Sequence, residues 1–264
     1  MPKAQDDKSD RIERLTALFP GLDESQIGWL EEIARQLKRP HTYKRNNSSD
    51  LISDCLLKEI GDGIRLHHCF SREAFSKDKF EYLMERAANL CGGKAELAPK
   101  GNPGHDITIN GVRFSLKTQA DKGIKRGSVH ISKFMELGRG EWTNREDDLI
   151  GLRERFFNHM KSYDRILVLR TLSRNPQNWE YELIEIPKRL LERAKDGRLE
   201  ITHDSKQMPK PGNCYVIDEK GKQMFALYFD GGTERKLQIK SIDVSNCIVH
   251  AQWKFSSEEL VQES

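Results

Sequence analysis

Pro103-Gly-His-Asp-Ile-Thr-Ile-Asn-Gly-Val-Arg-Phe-Ser-Leu-Lys117 is the stretch that decides how this chain folds. Asn110-Gly111 lies between two alternating apolar and polar runs, the strongest short-range signal for a two-residue β-hairpin. With those residues at the turn, Ile109 pairs with Val112, Thr108 with Arg113, and Asp106 with Ser115. Directly opposed residues share a face of the sheet, so Ile107, Ile109, Val112, Phe114 and Leu116 form one apolar face. The other face carries Asp106, Thr108, Arg113, Ser115, Lys117 and, where the strand continues, Gln119. Lys117 stands diagonally from Asp106, about 7–8 Å between backbones, so both side chains reach one site.

Packing alone explains the apolar face of such a hairpin. It does not ask for a carboxylate and an amine converging on one spot, whereas phosphodiester hydrolysis does. A carboxylate holds Mg²⁺ beside the scissile phosphate, where the metal polarises the phosphoryl oxygen and acidifies a water. A nearby lysine orients that water or accepts its proton, and its charge steadies the transition state.

Around this hairpin the chain has 264 residues, which at about 150 per domain suggests one large domain or two modest ones. A core of that size needs no disulfides or structural metal to hold it. The composition is 36% apolar and 32% charged with a mean hydropathy of −0.72, polar but not disordered. No apolar run approaches the roughly 20 residues of a membrane span, and MPKAQDDKSD lacks the apolar stretch of a secretory signal. The five cysteines, at 55, 69, 91, 214 and 247, form no C-x-x-C pair. Their odd number argues against a disulfide framework and a zinc ribbon, and fits a reduced cytoplasm.

Net charge is +3 (44 − 41) but unevenly placed. Arg113 to Arg139 holds seven basic against two acidic residues, +5, and His203 to Lys240 seven against five, +2. The remainder carries 3 − 5 − 2 = −4. Local positive potential of this kind suits a polyanion, although two solvated faces would read the same way on charge alone.

No repeat, low-complexity segment or Pro/Gly/Ser linker divides the chain, so residues 1–264 read as a single domain with polar, frayed ends at 1–10 and 256–264. Leu22–Lys38 is expected to be helical, with Asp23 and Gln26 at capping-box spacing and a stripe of Ile27, Leu30, Ile33, Ala34 and Leu37. A second helix is expected over Lys77–Leu90, stopped by Gly92-Gly93. Strands are expected at Asp106–Ile109, Val112–Thr118, Ser128–Ser132, Arg165–Leu172 and Glu180–Ile186. Pro187 opens a helix that Gly197 closes, and further strands fall at Tyr215–Ile217, Met224–Phe229, Leu237–Ile242 and Cys247–Trp253. The chain is thus α/β, helical early and sheet-rich late. His67-His68-Cys69 lacks companions at ligand spacing, so core packing or a backbone hydrogen bond is its expected role.

The hairpin resembles the PD-(D/E)xK nuclease core, with Gly104-His105 interrupting the Pro-Asp and Ser115 standing where a second acid is usual. A longer series resembles the SmaI-type restriction endonucleases. It comprises Asn102–Ile109, Leu116-Lys-Thr118, Ser132-Lys-Phe-Met-Glu-Leu-Gly-Arg-Gly-Glu-Trp142 and Ser205-Lys-Gln207. It continues through Pro209-Lys-Pro-Gly212, Leu227–Gly232, Glu234–Lys240 and Cys247-Ile-Val-His250, with Gly61-Asp62 and His67-His68 upstream. The resemblance spans about residues 50–253 and is weaker over the first helix.

It implies a restriction-endonuclease-like fold, a mixed β-sheet flanked by helices with a β-rich C-terminal part shaping a DNA cleft. It implies a homodimeric type II enzyme that cuts double-stranded DNA within CCCGGG to blunt ends, using Mg²⁺. A cognate DNA methyltransferase protecting the host is implied as a companion, not as a physical partner. By position, Asp106 would be a metal ligand, Lys117 the active-site lysine, the Leu116 carbonyl a further ligand and Ser115 part of the catalytic triplet. Gln119 stands where the resemblance has a glutamate.

Two residues are candidates for the second carboxylate. Glu85 matches a helix glutamate in Met84-Glu-Arg-Ala87 but sits off that helix's apolar stripe. Glu136 lies four residues past Ser132, a candidate helix cap, and the resemblance places a ligand glutamate on the helix that follows. For DNA reading, G·C pairs call for Arg or Lys donors to guanine and carboxylates accepting from cytosine N4. Glu234-Arg235-Lys236 supplies both, or is simply a polar turn; Lys133, Arg139, Lys206 and Lys210 suit phosphates. The competing functions are a repair or recombination nuclease on the same core, and a DNA-binding protein that has lost catalysis.

Overall fold

Asn110 and Gly111 adopt φ of 50° and 83°, the positive values that a tight two-residue hairpin turn demands at both central positions. Ile109 pairs with Val112, Thr108 with Arg113 and Ile107 with Phe114, as the turn requires. The chain around this hairpin is a computed structural model that describes residues 7–99, 101, 102, 104–138, 142 and 145–258. Its first half contains α1 (Lys8–Thr16), α2 (Glu24–Lys38), β1 (His41–Arg45), α3 (Asp54–Phe70), α4 (Lys77–Leu90), β2 (Ala95–Leu97), β3 (Ile107–Ile109), β4 (Val112–Gln119) and β5 (Ser128–Glu136). Then come α5 (Glu146–Met160), β6 (Arg165–Asn175), β7 (Asn178–Glu185), α6 (Lys188–Glu192), β8 (Arg198–Ile201), β9 (Gly212–Ile217), β10 (Gln223–Phe229), β11 (Lys236–Asp243) and β12 (Ile248–Phe255).

Two sheets form. The larger has the order β1-β12-β7-β6-β4-β3-β2, antiparallel except for the parallel pair β4–β6 that α5 bridges. The smaller is antiparallel, β5-β11-β10-β9-β8. Alternation along β6 sends Leu167 and Leu169 to one core, with Phe80, Met84, Phe114 and Leu116 under α3 and α4. Ile166 and Val168 point the other way, into a core shared with Phe156 of α5 and with Leu227, Phe229 and Ile239 of the smaller sheet. The larger sheet is therefore the middle layer of the molecule. The mixed α/β class with a strand-rich C-terminal part holds.

Polar clamps fix its strands. Arg170, fully buried, donates to Gln119 Oε1 (3.1 Å), Glu182 Oε2 (2.7 Å) and the carbonyls of Lys125, Arg126 and Ser128. Gln119 is thereby a structural residue inside the sheet. Glu185 accepts from Arg165 and from His250 Nε2 (3.0 Å), whose Nδ1 faces Ser49 Oγ at 2.8 Å. His68 stacks on Trp179 and hydrogen-bonds Tyr181 Oη and the Ser71 carbonyl, the packing role expected of it.

Several expectations are corrected. The α2 capping box forms, but its stripe does not enter the core: Ile27, Leu30 and Leu37 stay exposed and only Gln36 is buried. Ser132 does not cap a helix. The strand β5 runs on to Glu136, because Phe134 is buried and two residues of β11 (237 to 239) span four of β5 (131 to 135) in a bulge. The cysteines do not all remain free, since Cys55 at the start of α3 and Cys91 at the end of α4 form a disulfide. The N-terminal polar segment becomes α1 from Lys8 onward, while residues 1–6 and 259–264 lie outside the described residues. Among the described residues no helix is long and apolar enough to cross a membrane.

Candidate active site

The hairpin delivers its polar face to a cleft of about 710 Å³ between the two sheets. Asp106, Lys117, Thr118, Lys133, Glu136 and His159 are among the residues lining it. Asp106 sits just before β3 and is held there by its own amide, which donates to the Phe114 carbonyl at 2.8 Å. Its Oδ2 accepts the Leu116 N–H at 2.6 Å and the Ser115 hydroxyl at 3.3 Å. Lys117 Nζ stands 3.7 Å from the same oxygen. The structure thus brings Asp106, Ser115, Leu116 and Lys117 together.

Burial sets the electrostatics. Lys117 is 7% exposed, and burial pulls its ammonium down to about 8, opposed in part by Asp106. Burial also pushes Asp106 up, yet Lys117, then Lys77, and the Leu116 N–H together leave it below the ordinary carboxylate value. Phe134 lies under Lys117, with Nζ 5.7 Å from the ring centroid. His159, at the end of α5, is pushed down to about 4 by burial first and then by Lys117, so it is neutral at neutral pH.

Lys77 and Glu81 were not anticipated. Lys77 Nζ lies 2.8 Å from Asp106 Oδ1 and 3.0 Å from Glu81 Oε1, one ammonium between two carboxylates. The available signal was the i,i+4 pairing of Lys77 and Glu81 on the first turns of α4. It is the approach of α4 to the end of β3 that gives the pair meaning.

The other candidates fall as follows. Glu85 does not line the cleft; its Oε1 accepts the Leu97 N–H at 3.1 Å and ties α4 to β2. Glu136 does line it, as the last residue of β5, 71% exposed and paired with Lys133 at 2.9 Å. Glu234 and Lys236 pair with each other at 3.0 Å where the turn after β10 enters β11. That turn abuts the cleft, since Lys236 pairs with Glu136 and the Leu137 N–H donates to the Arg235 carbonyl at 2.7 Å. Lys206 is exposed, Lys210 Nζ donates to the Ser205 carbonyl, and Arg139 lies outside the described residues.

A hard divalent cation fits these donors. Asp106 is charged, and Lys77 already holds a positive charge between it and Glu81, where an ion could stand. A strand residue directs its N–H and C=O to the same edge, so the Leu116 carbonyl faces the edge at which its N–H meets Asp106. Among the described residues no group of three or more His, Cys, Asp or Glu converges as a metal cage. One or two carboxylates completed by water and phosphate is the usual Mg²⁺ arrangement.

Comparison of the sequence with known proteins identifies its family. The model of the type II site-specific deoxyribonuclease family SmaI matches residues 15–255. The type II restriction enzyme SmaI of Serratia marcescens is 45% identical over 246 residues, 93% of this chain and 97% of that protein. No solved structure matches. With the family model covering nearly the whole chain, this protein belongs to the SmaI family of type II site-specific deoxyribonucleases, and it is a restriction endonuclease.

Proposed function

We propose that this endonuclease cuts duplex DNA at CCCGGG between the central C and G, using Mg²⁺, as a homodimer of chains that each act as one nuclease domain. The observation that carries the chemistry is the 3.7 Å approach of Lys117 to Asp106 within the cleft. Asp106 and the Leu116 carbonyl would hold the metal, with Glu81 or Glu136 as the second carboxylate. Mg²⁺ when bound polarises the phosphoryl oxygen and acidifies a water.

Lys117 supplies the remaining charge and proton traffic. With its ammonium lowered to about 8, it donates to a phosphate oxygen when protonated and accepts a proton from water when neutral. Ser115 and the Leu116 N–H fix the Asp106 carboxylate, so the lysine meets an oriented partner. Lys133, Lys206, Lys210 and Arg139 are assigned to phosphates, and Arg235 to guanine. Such an enzyme works in the cytoplasm alongside a methyltransferase that protects the host's own sites.

Digestion of supercoiled plasmid with and without Mg²⁺ tests this reading. Discrete fragments ending blunt at CCCGGG are expected only with the metal. Fragments at another sequence would overturn the target, and unchanged cutting in a chelator would overturn the metal.

A further inference from the structure

The apolar stripe of α2 forms, yet the chain's own fold leaves it in water. The helix docks on α3 along one edge, where Gln36 is buried, donates from Nε2 to the Ser256 carbonyl at 3.0 Å, and accepts from Arg65 at its own carbonyl. At about 100° per residue, Ile27, Leu30, Ala34 and Leu37 lie roughly 100–180° round the helix from Gln36. Ala34 is exposed, and Ile27, Leu30 and Leu37 are 37–41% exposed. The preceding helix does not shield them. No residue of α1 is buried, and its own Ile12 and Leu15 are 54% and 52% exposed. Trp29 and Phe70, more than half exposed with ring centroids 5.4 Å apart, carry the apolar surface on to the end of α3.

Three observations say what covers this surface. The first is area. At about 150–250 Å² for a large side chain wholly in water, the large apolar residues here leave roughly 650 Å² open. Monomeric proteins rarely expose a contiguous patch beyond about 300–600 Å². Two such patches together give about 1,300 Å², within the roughly 1,200–2,000 Å² of stable specific interfaces. The second is spacing. Positions 27, 30, 34 and 37 alternate steps of three and four, the seam of paired helices. About a twofold axis at the middle of that seam, Ile27 meets the partner subunit's Leu37, and Leu30 meets the partner subunit's Ala34, large against small. The third is charge. Arg35 beside the seam is already paired within its own helix, to Glu31 at 3.0 Å and Glu32 at 3.9 Å, so closing the seam strands none of them.

We propose that α1 and the apolar stripe of α2 are the surface on which a second copy of this chain docks, in an isologous pair with the two α2 helices antiparallel. This rests on the reading that the enzyme acts as two chains, which the experiment below checks separately. The surface also adjoins the cleft: Phe70 ends α3 and Lys77 opens α4 seven residues later, at most about 25 Å of extended chain.

Sedimentation at micromolar concentration, free and on a CCCGGG duplex without Mg²⁺, reads the pairing. Wild type sediments as two chains. Leu30→Glu raises the dissociation constant by roughly a hundredfold or more, because pairing would enclose an unpaired charge, and Ala34→Lys does the same. Ile217→Glu, at an exposed apolar residue of β9 outside the patch, leaves it unchanged. Circular dichroism shows every variant folded, since all three positions face water in a single chain. Mixing Leu30→Glu chains with Ala34→Lys chains sets opposite charges against each other at one crossing and restores pairing. Wild-type pairing by Leu30→Glu, or no recovery on mixing, overturns the proposal and leaves the two-chain reading standing. A wild type that stays a single chain in both conditions overturns that reading as well.

Discussion

Asp106 and Lys117 carry the sharpest expectations at the scale of single residues. Asp106→Ala and Lys117→Ala should each reduce cleavage by about 10²–10⁴-fold, the range for lost charge stabilisation or proton transfer. DNA binding should persist, because the apolar face of the hairpin is untouched. Paired cleavage and mobility-shift assays check both. Glu81→Gln should weaken Mn²⁺ binding to the Mg²⁺-free protein, followed by electron paramagnetic resonance; Glu85→Gln should leave it unchanged, since Glu85 faces the Leu97 amide. The approach of Lys117 to Asp106 was legible in sequence because a two-residue turn fixes every partner downstream of it. Lys77 was not, because its partner Asp106 lies 29 residues away and only tertiary packing joins them.

At the scale of elements, the Glu185 clamp joins β6, β7 and β12 and makes stability depend on pH. Burial raises Glu185, but its bonds to His250 and Arg165 outweigh that and hold it below 4.5. A carboxylate depressed in the folded state stabilises above its unfolded value, and that contribution is lost as pH falls through the folded one. Acid should therefore erode stability from about pH 4.5 downward. Glu185→Gln should cost about 2 kcal/mol at pH 7, less than a sealed pair because Arg165 stays one-fifth exposed, and should flatten that acid slope in thermal melts. The disulfide at Cys55 and Cys91 closes a loop of 36 residues, so reduction should cost about 3–4 kcal/mol by loop entropy. Cleavage should survive, since the buried core under α3 and α4 holds both helices. Most strands and α4 were readable from alternation and caps, but α5 and the short strands β1, β2 and β8 were not, and neither was α3. Its Gly61 and Gly63 lower helix propensity, and they are tolerated because Tyr43, Trp253 and Leu83 pack where side chains would stand.

At the scale of the whole molecule, one active site per chain cuts one strand, so a palindrome calls for two chains related by a twofold axis. Sedimentation of the DNA complex should show two protomers of 30.5 kDa, and ligation of the fragments should show blunt ends. A monomer that only nicks would defeat that assembly. The order of the larger sheet has a consequence for synthesis. Tyr43 pairs with Trp253, 210 residues later, and β12 also flanks β7 beside the strands of the site. A ribosome adding about 5–20 residues per second needs roughly 10–40 s to make that partner after β1 has been polymerised. Through that interval the nascent enzyme lacks the strand that closes its central layer, and the host chromosome faces an unfinished blade.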